Sequence, residues 1–406
     1  MDKSIEFIDG ARYRTDLTSV NFLLPKKEVD IAALVVTVEL MAESSSKYKT
    51  ERELALKCGD LYGAQPSFNI MTSDDSYIVT ASMSTLAGKF RKMSGNLQEK
   101  GLKLLAQIVF SDWSHDQKAL ERIKYTLEKK TADILTDPDF RSGQGLKKNF
   151  FPQSSFSELP YGTPQQIRAV DATKIAAVRS LLKKSPRFLL GISSKKKQAE
   201  ARATKLFGPF GDNFVLKPIT TEFETPDDLT EKSEYTQSVV TWAYQVPLVT
   251  DVHSYLVARL ANYILGASSS SLLFTEVREK HGLCYSISSY AIPHSELLAV
   301  KAGIDAVDYK RTLTVVQSVM ADAYKSVDSS LLKAAKENMV SLFEQTESTA
   351  SSKVSFMRAM LIRGLPTDIK VYIDGLADVT PKEVRDYLKQ LTKVGSYAVL
   401  GTGKGN

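Results

Sequence analysis

The spacing of apolar and polar positions changes several times along the chain, and each change marks an element. In the first half, "LVVTV" (34–38) is a short apolar run rich in β-branched residues and reads as a buried strand. "TERELALKCGDLYG" (50–63) reads as a helix with Thr50 as N-cap and Glu53 at the third helical position. "PSFNIM" and "SYIVTASM" read as two strands joined by the turn "TSDD". Helices are expected over about 97–109 and 116–135. In the second half "SVVTWAYQV" reads as a strand, and Asp251 caps a helix reaching about Leu265. "SLLFTEVREK" is helical, with Gly282 placed to stop it. "YSISSYAI" and "LLAVKAGI" form a hairpin, and two long helices follow near 308–325 and 329–345. Hairpin strands grouped apart from helices predict an α+β fold with a mainly antiparallel sheet in each half.

One pattern occurs twice. "VDATKIAAVRSLLKKSPRFLL" starts at Val170 and "VTPKEVRDYLKQLTKVGSYAV" at Val379, 209 residues later. Both run from a cap through an amphipathic helix and a basic turn to a short apolar strand near a glycine, Gly191 or Gly401. In the second copy Thr380 and Glu383 form a capping box around Pro381. The offset is about half the chain, which predicts two copies of one domain. The stretch 211–237 has weak periodicity and a run of acids and reads as a mostly extended linker. The expected division is therefore a first domain over 1–210, a linker over 211–237 and a second domain over 238–406.

Composition narrows the function classes. A net charge of +6 over 406 residues is small and spread out, and the one dense basic run, "SSKKKQ" (193–198), reads as a solvated turn rather than a nucleic-acid patch. No apolar stretch approaches the length of a membrane span. The N-terminus "MDKSIEFIDGARYRT" lacks the apolar core of a signal peptide. The two cysteines, Cys58 and Cys284, make neither a CxxC pair nor a disulfide framework, and a reducing, cytoplasmic compartment is expected. The four histidines are His115, His253, His281 and His294, and no two stand four apart on a helix. No Ser–His–Asp arrangement, phosphate loop or metal cluster is legible.

The most distinctive segment is "LGASSSSLLFTEVREKHGLCYSISSY" (265–290). Arg278 near the end of its helix and Tyr285 after the glycine turn can project from one end of a sheet. A guanidinium and a phenol together could donate to a carbonyl oxygen that is gaining negative charge. The alternative is a surface arginine favoured by the helix C-terminus and a tyrosine half in the core. Glu39, within "LVVTVELMAE" (34–43), is equally open: a general base, a carboxylate reaching water or a basic neighbour, or the remnant of a site.

The segment "SSSSLLFTEVREKHGLCYSISSY" resembles the second-half signature of the M16 (pitrilysin, or insulinase-like) metallopeptidases. That resemblance implies a chain of two homologous α+β halves. It assigns Arg278 and Tyr285 to binding the substrate carbonyl and stabilising the tetrahedral intermediate. It places a substrate-gripping turn at Ser268, Ser269, Ser270 and Ser271, where family members carry glycines. It also implies an HxxEH zinc motif in the first half, with two histidines as ligands and the glutamate activating water. Here the matching window is "VTVEL" (36–40): Val36 and Leu40 stand for the histidines and Glu39 for the glutamate. The third ligand position falls at Lys130, with Glu128 the nearest carboxylate. Valine and leucine carry no donor atoms, so no metal or cofactor is expected in this chain, and no peptidase activity from it alone. His281, where the family commonly has arginine or glutamine, reads as a partner for the helix C-terminus.

In this family degenerate chains pair with active ones, and this chain most resembles zinc-less bacterial subunits. The implied function is that of a non-catalytic subunit of a heterodimeric zinc endopeptidase. Zinc and HxxEH would come from the partner, Arg278 and Tyr285 from this chain, and the substrate would be a peptide or an unfolded segment. The alternative is a non-enzymatic peptide-binding or scaffold protein of the same fold.

Overall fold

The computed structural model describes residues 4–64, 66–73, 75–88, 96–111, 116–152, 154–211, 214–219, 223, 227–292 and 295–403. His115, His294, Asp74 of the expected turn and several positions of 211–237 lie outside the described residues.

The first half of the sequence runs β1 (Ile5–Asp9), β2 (Thr15–Pro25), α1 (Ile31–Glu43), α2 (Glu51–Gly59), β3 (Pro66–Thr72), β4 (Ser76–Leu86), α3 (Leu97–Phe110), α4 (Gln117–Thr136), α5 (Pro138–Phe150), α6 (Pro164–Arg168), α7 (Ala172–Lys184), β5 (Arg187–Ser193) and α8 (Lys196–Phe207). The second runs β6 (Asp228–Ser233), β7 (Ser238–Gln245), α9 (Val252–Leu265), a π-helical segment (Phe274–Lys280), β8 (Ser286–Ala291), β9 (Leu297–Ile304), α10 (Tyr309–Asp322), α11 (Ser329–Thr346), α12 (Ala350–Leu361), α13 (Ile369–Gly375), α14 (Pro381–Lys389) and β10 (Thr392–Gly401).

The strands make two five-stranded sheets, ordered β1-β5-β2-β4-β3 and β6-β10-β7-β9-β8. Position for position the two orders are the same. Each has one parallel pair at one edge, β1 with β5 and β6 with β10. The remaining pairs are antiparallel. Two similar α+β domains with mainly antiparallel sheets is therefore the architecture. The repeated motif is its signature, because α7–β5 and α14–β10 deliver the second strand of each sheet. Thr380 and Glu383 form the expected capping box on α14, as do Thr50 and Glu53 on α2 and Asp251 and Ser254 on α9. These caps satisfy N–H groups that a helix start leaves without partners.

Burial explains the local choices. On the first sheet Val20, Phe22 and Leu24 of β2 and Val79, Ala81 and Met83 of β4 share one face and pack in a core with α1 and α7. The run 34–38, expected as a strand, is instead the middle of helix α1. Asp30 caps that helix, its Oδ1 accepting from the N–H groups of Ala32 (2.9 Å) and Ala33 (3.1 Å). Nine of the thirteen residues of α1 are buried and only Glu39 and Ala42 are exposed, so its apolar positions show neither a clear helical nor a strand period. The β-branched valines disfavour helix by only a few tenths of a kcal/mol each, about an order of magnitude less than burial contributes.

Two compact units result. One comprises Met1–Ala132, Leu159–Leu216 and Thr346–Thr367, and the other Asp133–Glu158, Lys217–Gln345 and Asp368–Asn406. Each sheet is thus completed by a helix from the opposite half of the sequence. In the first unit α12 packs on β5 and β2, with Ala350, Val354 and Met357 against Ile78, Phe188 and Leu190. In the second α5 packs on β10 and β7, with Leu146 and Phe150 against Ala243 and Val394. The stretch 211–237 supplies the edge strand β6.

Candidate functional site

The segment holding Arg278 is a wide helix. The N–H of His281 donates to the Glu276 carbonyl (3.2 Å), five residues back, after which Gly282 returns to the ordinary spacing on Arg278 (3.0 Å) and Leu283 closes the helix end on Val277 (3.1 Å). An inserted residue of this kind re-aims side chains and recurs at functional sites. Leu273, Val277 and Leu283 anchor the segment in the core, all at 2% exposure or less. Arg278, Glu279 and Lys280 stay on the surface. The Arg278 guanidinium lies 4.8 Å from the centre of the Phe274 ring, a cation–π contact that fixes its direction without consuming its N–H donors. Gly282 then turns the chain at φ +62°, a conformation that costs a side-chain-bearing residue more than glycine.

Tyr285 follows and is 57% exposed. Its N–H donates to the Gly303 carbonyl (2.8 Å), extending the pairing of β8 with β9. Its hydroxyl donates to Asp305 Oδ1 at 2.6 Å. That bond and the nearby carboxylates of Asp305 and Asp308 raise the phenol above its ordinary pKa. The proton therefore stays on Tyr285 at neutral pH, but it is engaged with Asp305. Between the two donors, burial pushes the Cys284 thiol up to about 11 although Arg278 pulls the other way, so the sulfur is not a thiolate nucleophile at neutral pH.

The serine turn is tied to β8 of the same sheet. Gly266 closes α9 and lies against Ser289, where a Cβ would come within 2.5 Å of Ser289 Oγ. Ser289 N–H donates to the Gly266 carbonyl (3.0 Å), and its hydroxyl to Asn262 Oδ1 (2.7 Å). Ser268 donates weakly to the Tyr263 carbonyl (3.4 Å), Ser269 and Ser270 are exposed, and Ser271 is buried without a hydrogen-bond partner for its hydroxyl. His281 Nε2 lies 3.5 Å from Glu276, which also pairs with Lys280 at 2.6 Å. Lys280 foremost holds the Glu276 carboxyl below its usual range.

In the first unit the counterpart positions are on α1. Val36 is fully buried and Leu40 is 1% exposed. Glu39 points to the surface, on the stripe with Ala42. Lys130 sits with its ammonium 4.7 Å from the centre of the Tyr161 ring, and Glu128 is held by Arg168 at 2.9 Å. Neither alkyl side chain has a lone pair, and the lysine brings positive charge, so these residues do not fit a zinc ion. Among the described residues no group of three or more His, Cys, Asp or Glu side chains could hold a metal.

Two residues that matter to this site were not read from the sequence. Phe274 stands four residues before Arg278, a spacing that could have suggested contact on a helix. Asp305 lies 20 residues beyond Tyr285, and only the β8–β9 register brings it there.

Comparisons with known proteins agree with the fold. Residues 183–339 match the family described as the peptidase M16 inactive domain. The chain is 19% identical over 408 residues, 96% of its own length and 94% of the relative's, to the probable inactive metalloprotease YmfF of Bacillus subtilis (strain 168). A solved conserved protein from Enterococcus faecalis V583 superposes with a TM-score of 0.87 at 18% identity, over 100% of this chain and 98% of that one. A solved peptidase M16 inactive domain from Pseudomonas fluorescens gives 0.81 at 18% identity, over 98% and 95%. The resemblance read from "SSSSLLFTEVREKHGLCYSISSY" holds.

Proposed function

We propose that this chain, an inactive M16-family peptidase homologue, is the non-catalytic subunit of a heterodimeric zinc endopeptidase, lending Arg278 and Tyr285 to the zinc site of an active HxxEH-containing partner. The observation that carries the reading is an asymmetry. The two histidine positions of the zinc motif, Val36 and Leu40, are apolar and buried, whereas both carbonyl-binding positions keep polar donors at the surface, Arg278 stacked on Phe274 and Tyr285 with its hydroxyl proton in place.

Chemically, attack on a peptide carbonyl gathers negative charge on its oxygen. A guanidinium has five N–H donors, and stacking on Phe274 leaves them free to point at that oxygen. The phenol has one proton, held by Asp305 in this state. Exchanging the carboxylate for the oxyanion means turning the exposed Tyr285 side chain away from Asp305. Zinc and the activated water belong to the partner, and no step of this chain's own runs through a metal. Substrates would be peptides or unfolded segments. The setting is cytoplasmic, and among the described residues no helix is long and apolar enough to cross a membrane.

The test is co-purification with the HxxEH homologue followed by a peptide-cleavage assay. Arg278→Ala and Tyr285→Phe should each lower turnover of the complex about 10²–10³-fold, the usual cost of one oxyanion donor. Asp305→Ala should leave turnover unchanged or raise it, because it releases the phenol. Full activity of both donor variants would leave the scaffold reading in its place.

A further inference from the structure

Strand β4 of the first sheet alternates apolar and polar side chains over 79–84. On β4, Val79, Ala81 and Met83 face the core, and Thr80, Ser82 and Ser84 face the other way. Ser67 and Asn69 of β3 fall on that same polar face, since Ser67 is opposite Ser82 and Asn69 opposite Thr80. Helix α12 covers only the apolar part of the face, sealing Ile78, Phe188 and Leu190. The hydroxyl-bearing part is left as the floor of a groove of about 500 Å³, with Ser355 and Arg358 of α12 in its wall.

Arg358 is the one charged residue among those lining the groove. Its guanidinium makes no hydrogen bond, ion pair or ring contact with any described residue. Burial alone acts on it, lowering its pKa from the ordinary arginine value while leaving it charged. A partly desolvated cation with five unused donors is costly unless something polar meets it. The second unit shows the contrast. There the smaller groove between α5 and β8–β9, about 270 Å³, also contains one cation, Lys301. That cation is matched by Asp139 of the same groove at 2.8 Å. The cation of the first unit has no such counterion.

We propose that the groove between α12 and the polar face of β3 and β4 binds a carboxylate-bearing peptide segment, with Arg358 as the anchor of the carboxylate. Guanidinium and carboxylate meet as two parallel N–H···O bonds, a geometry that fixes both position and direction. The serine and asparagine side chains of the floor offer donors and acceptors for peptide amides. The volume falls in the range of small-ligand sites, about 300–1,000 Å³. The choice of a peptide rests on the peptide-handling reading above, but binding needs neither the partner subunit nor cleavage.

The experiment uses the full isolated chain and three acetylated tetrapeptides. One is Ac-Ser-Ala-Ser-Ala with a free C-terminal carboxylate, the second its C-terminal amide, and the third the amide with an internal glutamate, Ac-Ser-Glu-Ser-Ala-NH2. Calorimetric titration should show both acids binding about ten- to a hundredfold more tightly than the neutral amide, the discrimination expected of a charged hydrogen-bonded pair. The better of the two acids identifies the terminal or the side-chain carboxylate as the natural group. Arg358→Gln should abolish the preference and Arg358→Lys should keep part of it. Ser82→Asp, which places a carboxylate in the floor, should abolish it without touching the arginine. The proposal is overturned if the amide binds as well as the acids, if Arg358→Gln or Ser82→Asp keeps the preference, or if inorganic phosphate displaces the peptides at equal concentration. Any of these results leaves the Arg278 and Tyr285 reading standing, because that reading is measured by turnover of the two-subunit complex.

Discussion

Residues 36–40 on α1 and residues 278–285, at the end of the π-helical segment and in the turn that follows it, belong to two units of the same topology, yet they meet solvent in opposite ways. Val36 and Leu40 are interior, and only Glu39 of that window is exposed. Arg278 and Tyr285 are surface residues that the core does not use. Where the side chains are alkyl groups, a helix can bury most of its surface, and the positions become part of what holds the fold together. Where donors persist at the surface, the fold gains little from them. The difference teaches that stability and chemistry occupy separate regions of this molecule.

The strongest way to break that comparison is to put charge where the alkyl groups are. Val36→Asp should abolish cooperative folding of the chain, because an unpaired carboxylate at a fully buried position costs several kcal/mol. Leu40→Ala should cost about 2–5 kcal/mol in urea denaturation. If either variant melts like the parent, α1 is not the structural element described. The opposite expectation holds for the second region. Arg278→Ala and Tyr285→Phe should each change unfolding free energy by less than about 0.5 kcal/mol, as surface substitutions do. A larger loss would mean that these side chains serve the fold. The cap of α14 falls between these two extremes. Thr380→Ala should cost about 1 kcal/mol.

The partner of that cap, Glu383, is held down to about 2 by hydrogen bonds from Thr380 first and then from His253. A carboxyl depressed in the folded state stabilises it above the unfolded pKa, and that contribution fades as pH falls toward the folded value. Glu383→Gln should therefore flatten the pH dependence of the melting temperature between about 4.5 and about 2, with little change in slope above that window. An unchanged acid slope would mean the cap is loose in solution.

How much of this was legible depends on range. Caps are local, so Thr50, Asp251 and Thr380 were readable as helix starts, and the α7–β5 and α14–β10 echo revealed the duplication. The Arg278 and Tyr285 segment stood out for the same reason. Helix α1 was not legible as a helix because burial of most of its surface, with Glu39 and Ala42 alone exposed, removes the alternation from which period is read. The π-helical widening around Arg278 is a choice of hydrogen-bond partner, and residue type does not encode it. Asp305 could not be paired with Tyr285 without the β8–β9 register. Helices α5 and α12 were not read from the sequence, and nothing local says which sheet each of them covers. Arg358 was missed for a related reason, since its isolation is defined by an absence of neighbours.

The helix that each sheet borrows from the other half of the sequence sets a rule for dividing the protein. A chain cut between residues 210 and 238 would leave each fragment with one sheet lacking its covering helix and one helix lacking its sheet. Neither fragment should be soluble and native alone, for an apolar sheet face such as Ile78, Phe188 and Leu190 would lie open. Produced together, the two fragments hold everything both sheets need and should reassemble by trading α5 for α12. The duplication visible in the sequence is thus not a pair of separable modules but a reciprocal contract between two halves.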